Sequence, residues 1–259
     1  MLNVKSMRHP KERLYFLISA TIGGLLWFVI IVGTLGLILF YGIFIALGLW
    51  ITQQFFKAVI YGNAVRVTED QYPTIHDIVQ SNCSELGLTT IPDVFIVNGQ
   101  GAVNAVAVRF HSKRYVLLFS DLVDLMLERE AINELKMIIG HELAHHAAGH
   151  TSVFKNLLIG PTKFIPFLGP AYSRACELTA DRIGHALTDD NEASRRALIS
   201  VVSGSKALAS HVNIDAFKEQ EAQIPMLFGF LHEIIGTHPR MTRRIVEIDK
   251  INALVLDNL

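Results

Sequence analysis

The chain has 259 residues, 51% of them apolar, with 23 basic residues set against 24 acidic ones. A mean hydropathy of +0.36 is high for a protein that lives wholly in water and points to a membrane segment. The balanced charge supplies no cationic field of the kind nucleic-acid binding needs, so nucleic acid is excluded as a partner.

Residues 1 to 13 carry Lys5, Arg8, Lys11 and Arg13 against Glu12, and no charged residue then occurs from Leu14 to Phe56. As one helix that stretch would run about 65 Å, roughly twice the hydrocarbon thickness of a bilayer. Two spans are therefore expected, near 14–32 and 37–54, with Gly33, Thr34 and Gly36 at the break. The basic N-terminus should stay on the cytoplasmic side, and a hairpin returns the chain there. The remainder is then cytoplasmic, held at a cell (inner) membrane. The two cysteines, Cys83 and Cys176, are too few for a disulfide framework and fit a reducing compartment.

Beyond the membrane, Thr68 is a candidate N-cap for a helix whose apolar positions recur up to Leu86, with Gly87 closing it. Short strands are expected at 94–97, 103–110 and 115–119, with His111-Ser112-Lys113-Arg114 as the turn between the last two. A short helix over 122–127 and a longer one over about 130–148 follow. Residues 153–172 are apolar but hold Pro161, Pro166 and Pro170, so a broken segment against the site or the bilayer, or one packed in the core, is expected rather than a span. Helices are predicted at about 173–187, 191–209, 226–236 and 242–256.

The stretch His141-Glu142-Leu143-Ala144-His145 lies in the second of the helices after the strands. Residues four apart share a helix face, so His141 and His145 can present their imidazoles to one metal ion, with Glu142 beside them to work on a water. Catalytic zinc needs a third protein ligand and one open position. A third histidine six residues after His145 is missing, since Thr151 stands there. His150 is out of register and reads as a polar residue near the helix end. Downstream, Glu177 and Asp181 are four apart on one helix face, so that one could ligate while the other hydrogen-bonds a histidine.

These residues resemble the membrane-associated gluzincin peptidases of the HtpX and CAAX-prenyl-protease type. In that family a His-Glu-x-x-His helix precedes a helix with Glu-x-x-Ala-Asp, seen here as Glu177-Leu178-Thr179-Ala180-Asp181. An Asn-Ala edge strand ahead of the zinc helix corresponds to Asn104-Ala105, and a C-terminal His-Pro element with a following Arg-Ile to His238-Pro239 and Arg244-Ile245. The order and rough spacing of all four agree over about residues 65 to 250. Val103 and Val106 replace a proline and a phenylalanine common in the family, and 153–172 stands where many relatives carry further membrane helices.

The resemblance implies an α+β, mainly helical fold. A basic N-terminus and transmembrane helical hairpin (residues 1–56) lead into a zincin-type peptidase domain with a small β-sheet (57–259). It implies one Zn²⁺ per chain on His141, His145 and Glu177, with Glu142 as general base. Asp181 would orient a ligand histidine, and His238 would stabilise developing charge. Asn104 and Ala105 would pair with an extended protein or peptide substrate, and one of Arg240, Arg243 and Arg244 would meet substrate or Asp181. The expected activity is zinc-dependent endoproteolysis beside a lipid bilayer, with membrane-protein quality control and prenylated-protein processing as the two family precedents. The competing reading is a membrane-anchored binding or chaperone-like protein with a closed, structural zinc site, for which Cys176 or His146 would have to supply a fourth ligand.

Overall fold

The computed structural model describes residues 1–110, 113–128, 130–204 and 206–256. His111 and Ser112, in the expected turn, lie outside the described residues. The fold is mainly helical with one small mixed sheet.

Two long helices come first, α1 (Pro10–Gly33) and α2 (Leu37–Asn63), both apolar and long enough to cross a bilayer. Between them the backbone turns through Leu35 and Gly36 at φ 49° and 80°, the second a conformation that glycine adopts freely. Helix α1 starts at Pro10 rather than Leu14, since a proline in the first turn forfeits no helical hydrogen bond. Helix α2 continues past residue 54 because its end packs on the sheet. There the Phe56 ring centroid lies 4.8 Å from that of Phe110 and 5.3 Å from that of Tyr115, and Tyr61 meets Phe95 at 5.0 Å. The segment ahead of α1 returns to the body of the protein: Leu2, Val4 and Met7 pack on the main core.

The sheet has four strands in the order β1-β2-β4-β3: β1 (Val65–Arg66), β2 (Asp93–Val97), β3 (Ala105–Phe110) and β4 (Lys113–Phe119). β2 runs parallel to β4 and the other pairs are antiparallel. Alternate residues face opposite ways. Val94, Ile96, Val116 and Leu118 therefore enter the main core, while Phe95, Tyr115 and Leu117 meet the end of α2. Strand β3 begins at Ala105, not Val103, because the chain before it folds on itself: the Ala102 amide donates to Gly99 O (2.9 Å) and the Gly101 amide to Asp121 Oδ2 (3.2 Å). β3 is an edge strand.

Helix α3 (Pro73–Glu85) starts later than a cap at Thr68 would place it. Thr68 and Gln71 instead exchange backbone bonds of 2.9 and 3.1 Å in a tight turn, and Pro73 opens the helix. Helix α4 (Ser120–Leu127) leads to α5 (Ile132–Ala147), which carries the histidines. After the short α6 (Val153–Leu158) and a 3₁₀ turn (Gly160–Phe164), α7 (Leu168–Thr188) crosses α5. It starts at Leu168 rather than Ser173, Pro170 being tolerated in the first turn. Around this pair lie α8 (Asn191–Ser203), α9 (Lys206–Ala209), α10 (Ile214–Glu219), α11 (Met226–Ile235) and α12 (Met241–Leu256). The expected single helix 191–209 is divided at Gly204, whose φ is 61°. Ile245 and Ile248 dock α12 in the core.

The crossing of α5 and α7 is made close by glycine. A Cβ on Gly184 would fall 2.9 Å from Met137 O and 3.1 Å from His141 N, while one on Gly140 would meet Gly184 Cα at 3.3 Å. Backbone therefore packs against backbone at the level of His141. A second close approach joins α6 to α1: the Trp27 indole donates to Leu157 O at 2.9 Å, and a Cβ on Gly23 would overlap the Leu158 carbonyl oxygen. The outer side of this region is apolar, with Phe154, Leu157, Phe164 and Phe167 exposed and Met226, Phe228 and Phe230 of α11 exposed as well.

Candidate metal centre

His141 and His145 stand one turn apart on α5, and Glu177 reaches them from α7. His145 Nε2 lies 3.3 Å from His141 Nε2 and 3.4 Å from Glu177 Oε1, while His141 Nε2 lies 3.7 Å from Glu177 Oε2. A tetrahedral zinc with bonds of about 2.0–2.2 Å spaces its ligand atoms about 3.4 Å apart, so the two imidazole nitrogens and the Glu177 carboxylate, each oxygen of which faces one of them, fit one small divalent cation. Such convergence of donors leaves no room for a proton on each and suits a cation. All three residues line a cavity of about 550 Å³ together with Asn104, Ala105, Glu142, His238 and Arg244.

The far sides of the two histidines are both engaged. His141 Nδ1 is 2.9 Å from Asp181 Oδ1, and Asp181 is gripped by Arg244 through Nε to Oδ2 (2.7 Å) and Nη2 to Oδ1 (2.6 Å). Asp181 is fully buried. Burial works to raise its carboxyl, but the Arg244 charge and hydrogen bonds outweigh that and hold it below the usual carboxylate range. Burial likewise works to lower the His141 imidazole, and the Asp181 bond and charge overcome it to hold the ring above its usual range. Of the three C-terminal arginines it is Arg244 that reaches Asp181. Arg240 bonds Glu221 Oε2 (3.2 Å) and Gly229 O (3.0 Å), and Arg243 pairs with Glu233.

His145 is oriented differently, and sequence reasoning missed how. Its Nδ1 is 3.0 Å from His150 Nδ1. The helix ends at Ala147, Gly149 turns the chain at φ 74°, and the His150 amide bonds back to His145 O at 2.9 Å. Helical extrapolation placed His150 round the helix, whereas this turn returns it to the site. Its other nitrogen, Nε2, lies 3.4 Å from Glu12 Oε1 in the first turn of α1. The only signal for this in the sequence was a lone acid among the basic residues ahead of an apolar helix.

Glu142 is buried, 8% exposed. Burial raises its carboxyl above the usual range, with Glu177 adding to the rise, while the His141 charge and the Ala107 amide pull the other way. Burial would also raise Glu177, but the His238 hydrogen bond and the two imidazoles hold it well below. His238 sits at the cavity rim with its side chain 68% exposed and Nδ1 3.0 Å from Glu177 Oε2, which raises it above the ordinary imidazole range. Asn104 precedes the edge strand β3, and with Ala105 it forms one wall of the cavity. His146 faces away, with Nε2 3.1 Å from Tyr115 O, and burial lowers it to about 4. Cys176 is buried behind the trio, near Glu12 and His150.

A mainly helical body with a small sheet, and a cleft where two helices bring histidines and a glutamate together, is an arrangement suited to a metal-dependent hydrolase. The chain belongs to peptidase family M48: a model of that family matches residues 69–159 and 152–252, which takes in α5, α7 and α12. The members of that family are metal-dependent peptidases. The plastoglobule-localized metallopeptidase 48, chloroplastic, of Arabidopsis thaliana is 24% identical over 183 residues, 65% of this chain and 52% of that protein. The chain thus spans about half the length of that curated relative.

Proposed function

We propose that the protein is a membrane-anchored zinc endopeptidase that holds one zinc on His141, His145 and Glu177. The observation that carries this reading is the spacing of the two Nε2 atoms from each other and from the nearer oxygens of the Glu177 carboxylate, 3.3–3.7 Å. Zinc bound there would lower the pKa of a water and polarise the scissile carbonyl. Glu142 takes the proton from the attacking water on its carboxylate and passes it to the leaving amine. Its burial, which raises its affinity for a proton, suits a base that must hold the proton between the two transfers. Asp181 accepts a hydrogen bond from His141 Nδ1 and so keeps the proton on that nitrogen, which leaves Nε2 to present its lone pair to the cavity, and Arg244 fixes Asp181. His238, drawn toward its charged form by Glu177, is a donor at the rim for the charge developing on the carbonyl oxygen. An extended peptide pairs with the edge strand β3 beside Asn104 and Ala105, so main-chain bonds supply affinity and the cavity walls supply selectivity.

Residues 57–259 are the peptidase unit and 1–56 the anchor, whose first dozen residues dock back on that unit. Helices α1 and α2 form a hairpin across a cell (inner) membrane with the peptidase cytoplasmic, and the exposed phenylalanines of 154–167 and α11 dip into the lipid beside α1. A cleft at the membrane surface suits the turnover of damaged membrane proteins. A closed structural site is disfavoured because Cys176 and His146 both lie away from the trio.

The test is metal analysis of the purified full chain with a casein digestion run with and without chelator. One zinc per chain and chelator-sensitive cleavage are expected. Glu142→Gln should keep the zinc and lose cleavage by about 10³-fold or more, general-base assistance being worth roughly 10²–10⁴. A variant cleaving at the wild-type rate would refute the role of Glu142.

A further inference from the structure

We infer that Glu12, carried by the first turn of the membrane-anchoring helix α1, is a positioning residue of the metal centre and acts through His150 on His145. The inference rests on the zinc reading above and adds to it a part of the chain that the peptidase-family match, which begins at residue 69, does not include.

The proton positions along this line follow from the chemistry of the two rings. A histidine that offers Nε2 to a metal as a neutral ligand carries its proton on Nδ1. His145 must therefore donate from Nδ1, and the atom facing it at 3.0 Å is His150 Nδ1, which can accept only if it is bare. A neutral His150 with a bare Nδ1 carries its proton on Nε2. That nitrogen is buried and forms no hydrogen bond among the described residues, and Glu12 Oε1 stands 3.4 Å from it, within ion-pair distance and placed to accept its proton's hydrogen bond with a small adjustment. Each ring thus has one tautomer, and the direction of donation is fixed from His145 to His150 to Glu12.

The carboxylate end is built as firmly. Glu12 is 1% exposed; it pairs with Arg8 and accepts from Thr179 Oγ1 at 2.6 Å. The Arg8 guanidinium also donates to Ala148 O, and the His9 amide donates to Thr179 Oγ1 at 2.8 Å, so the turn ahead of α1 is clamped onto α5 and α7. This arm repeats in plan the one behind His141, where Asp181 accepts a hydrogen bond from the imidazole and an arginine holds the carboxylate. The difference is one extra imidazole, inserted because Glu12 comes from a helix farther off. Cys176 completes a cluster with Glu12 and His150, but Arg8 already neutralises the carboxylate, which argues against a second cation there.

Such partners fix ring orientation and raise ligand basicity, and removing one typically costs 10–100-fold in metal affinity. The experiment is zinc affinity by competition with a chromogenic chelator, on the full chain in detergent, for wild type, Glu12→Gln, His150→Asn and the double variant. The visible spectrum of each cobalt(II)-substituted protein and the thermal midpoint of each zinc-free protein are recorded alongside. About tenfold weaker zinc binding and an altered cobalt spectrum are expected for each single variant. The double variant should be no weaker than the worse single one, because both changes cut one line. Wild-type affinity and spectrum in Glu12→Gln would overturn the inference. Additive losses in the double variant would do so too, since they would mean that Glu12 acts by general destabilisation. Failure of the underlying zinc reading is seen separately, as a wild-type chain that binds no zinc.

Discussion

The spacing of the proposed metal ligands depends on how closely α5 and α7 cross, and Gly184→Ala tests that dependence. The added methyl would sit 2.9 Å from Met137 O and 3.1 Å from His141 N, both backbone atoms of α5 that no rotamer change can move. Relief needs the helices to part by roughly half an ångström, given carbon contact distances of about 3.5 Å. Overpacking of this kind costs about 1–3 kcal/mol, while alanine in place of a helical glycine returns up to about 1 kcal/mol. Net destabilisation should therefore be modest, about 0–2 kcal/mol. The metal centre should suffer more, because His141 is at the crossing itself and Asp181 and Glu177 are on the helix that must move. The His141 Nδ1 to Asp181 bond of 2.9 Å has little slack. We expect zinc affinity, read by chelator competition, to fall about tenfold, on the scale seen when groups behind a ligand are displaced. Gly62→Ala, where nothing lies within 4 Å of the new methyl, serves as the control and should bind zinc as wild type does. Unchanged zinc affinity in Gly184→Ala would refute the idea that the glycine crossing sets the spacing of the trio.

Glu177→Ala should lose zinc while keeping the fold; a purified variant with one zinc per chain would reassign the third ligand. Arg244→Leu strips the partner from a fully buried Asp181 and should cost about 3–5 kcal/mol, measured as a lower denaturant midpoint, with an unchanged midpoint counting against the ion pair's role. His238→Ala should retain zinc but cleave about 10²-fold more slowly if the ring meets developing charge; a rise in KM at constant kcat would make it a binding residue instead. Nitroxides attached at Phe164→Cys and Phe228→Cys in lipid nanodiscs should relax faster with oxygen than with a water-soluble nickel reagent, as lipid-buried groups do. The reverse order would place that surface in water.

How far the site could be read from the sequence depends on the kind of link that joins its parts. His141, Glu142 and His145 were legible because four residues make one turn, a local rule that holds wherever the helix sits. Glu177 and Asp181 shared a face by the same rule, but which of them meets a histidine from the front and which from behind is settled only by the crossing of α5 and α7. That crossing is fixed by Gly140 and Gly184, which carry no chemistry a motif search would notice. The hairpin was legible from an unbroken apolar run, whereas the extension of α2 onto the sheet was not, since Phe56 and Tyr61 find Phe110, Tyr115 and Phe95 only in three dimensions. His150 shows the limit most plainly. Extrapolating the helix past Ala147 sends it away from His145, and one glycine at φ 74° brings it back. From there the line continues to Glu12, more than a hundred positions earlier in the chain, in a segment that reads as basic flanking sequence ahead of an apolar helix. An acid at that position is costly unless something cationic or protonated waits for it, and Arg8, His150 and Thr179 do. The buried acid of α1 is therefore better explained by the centre it faces than by the membrane it precedes.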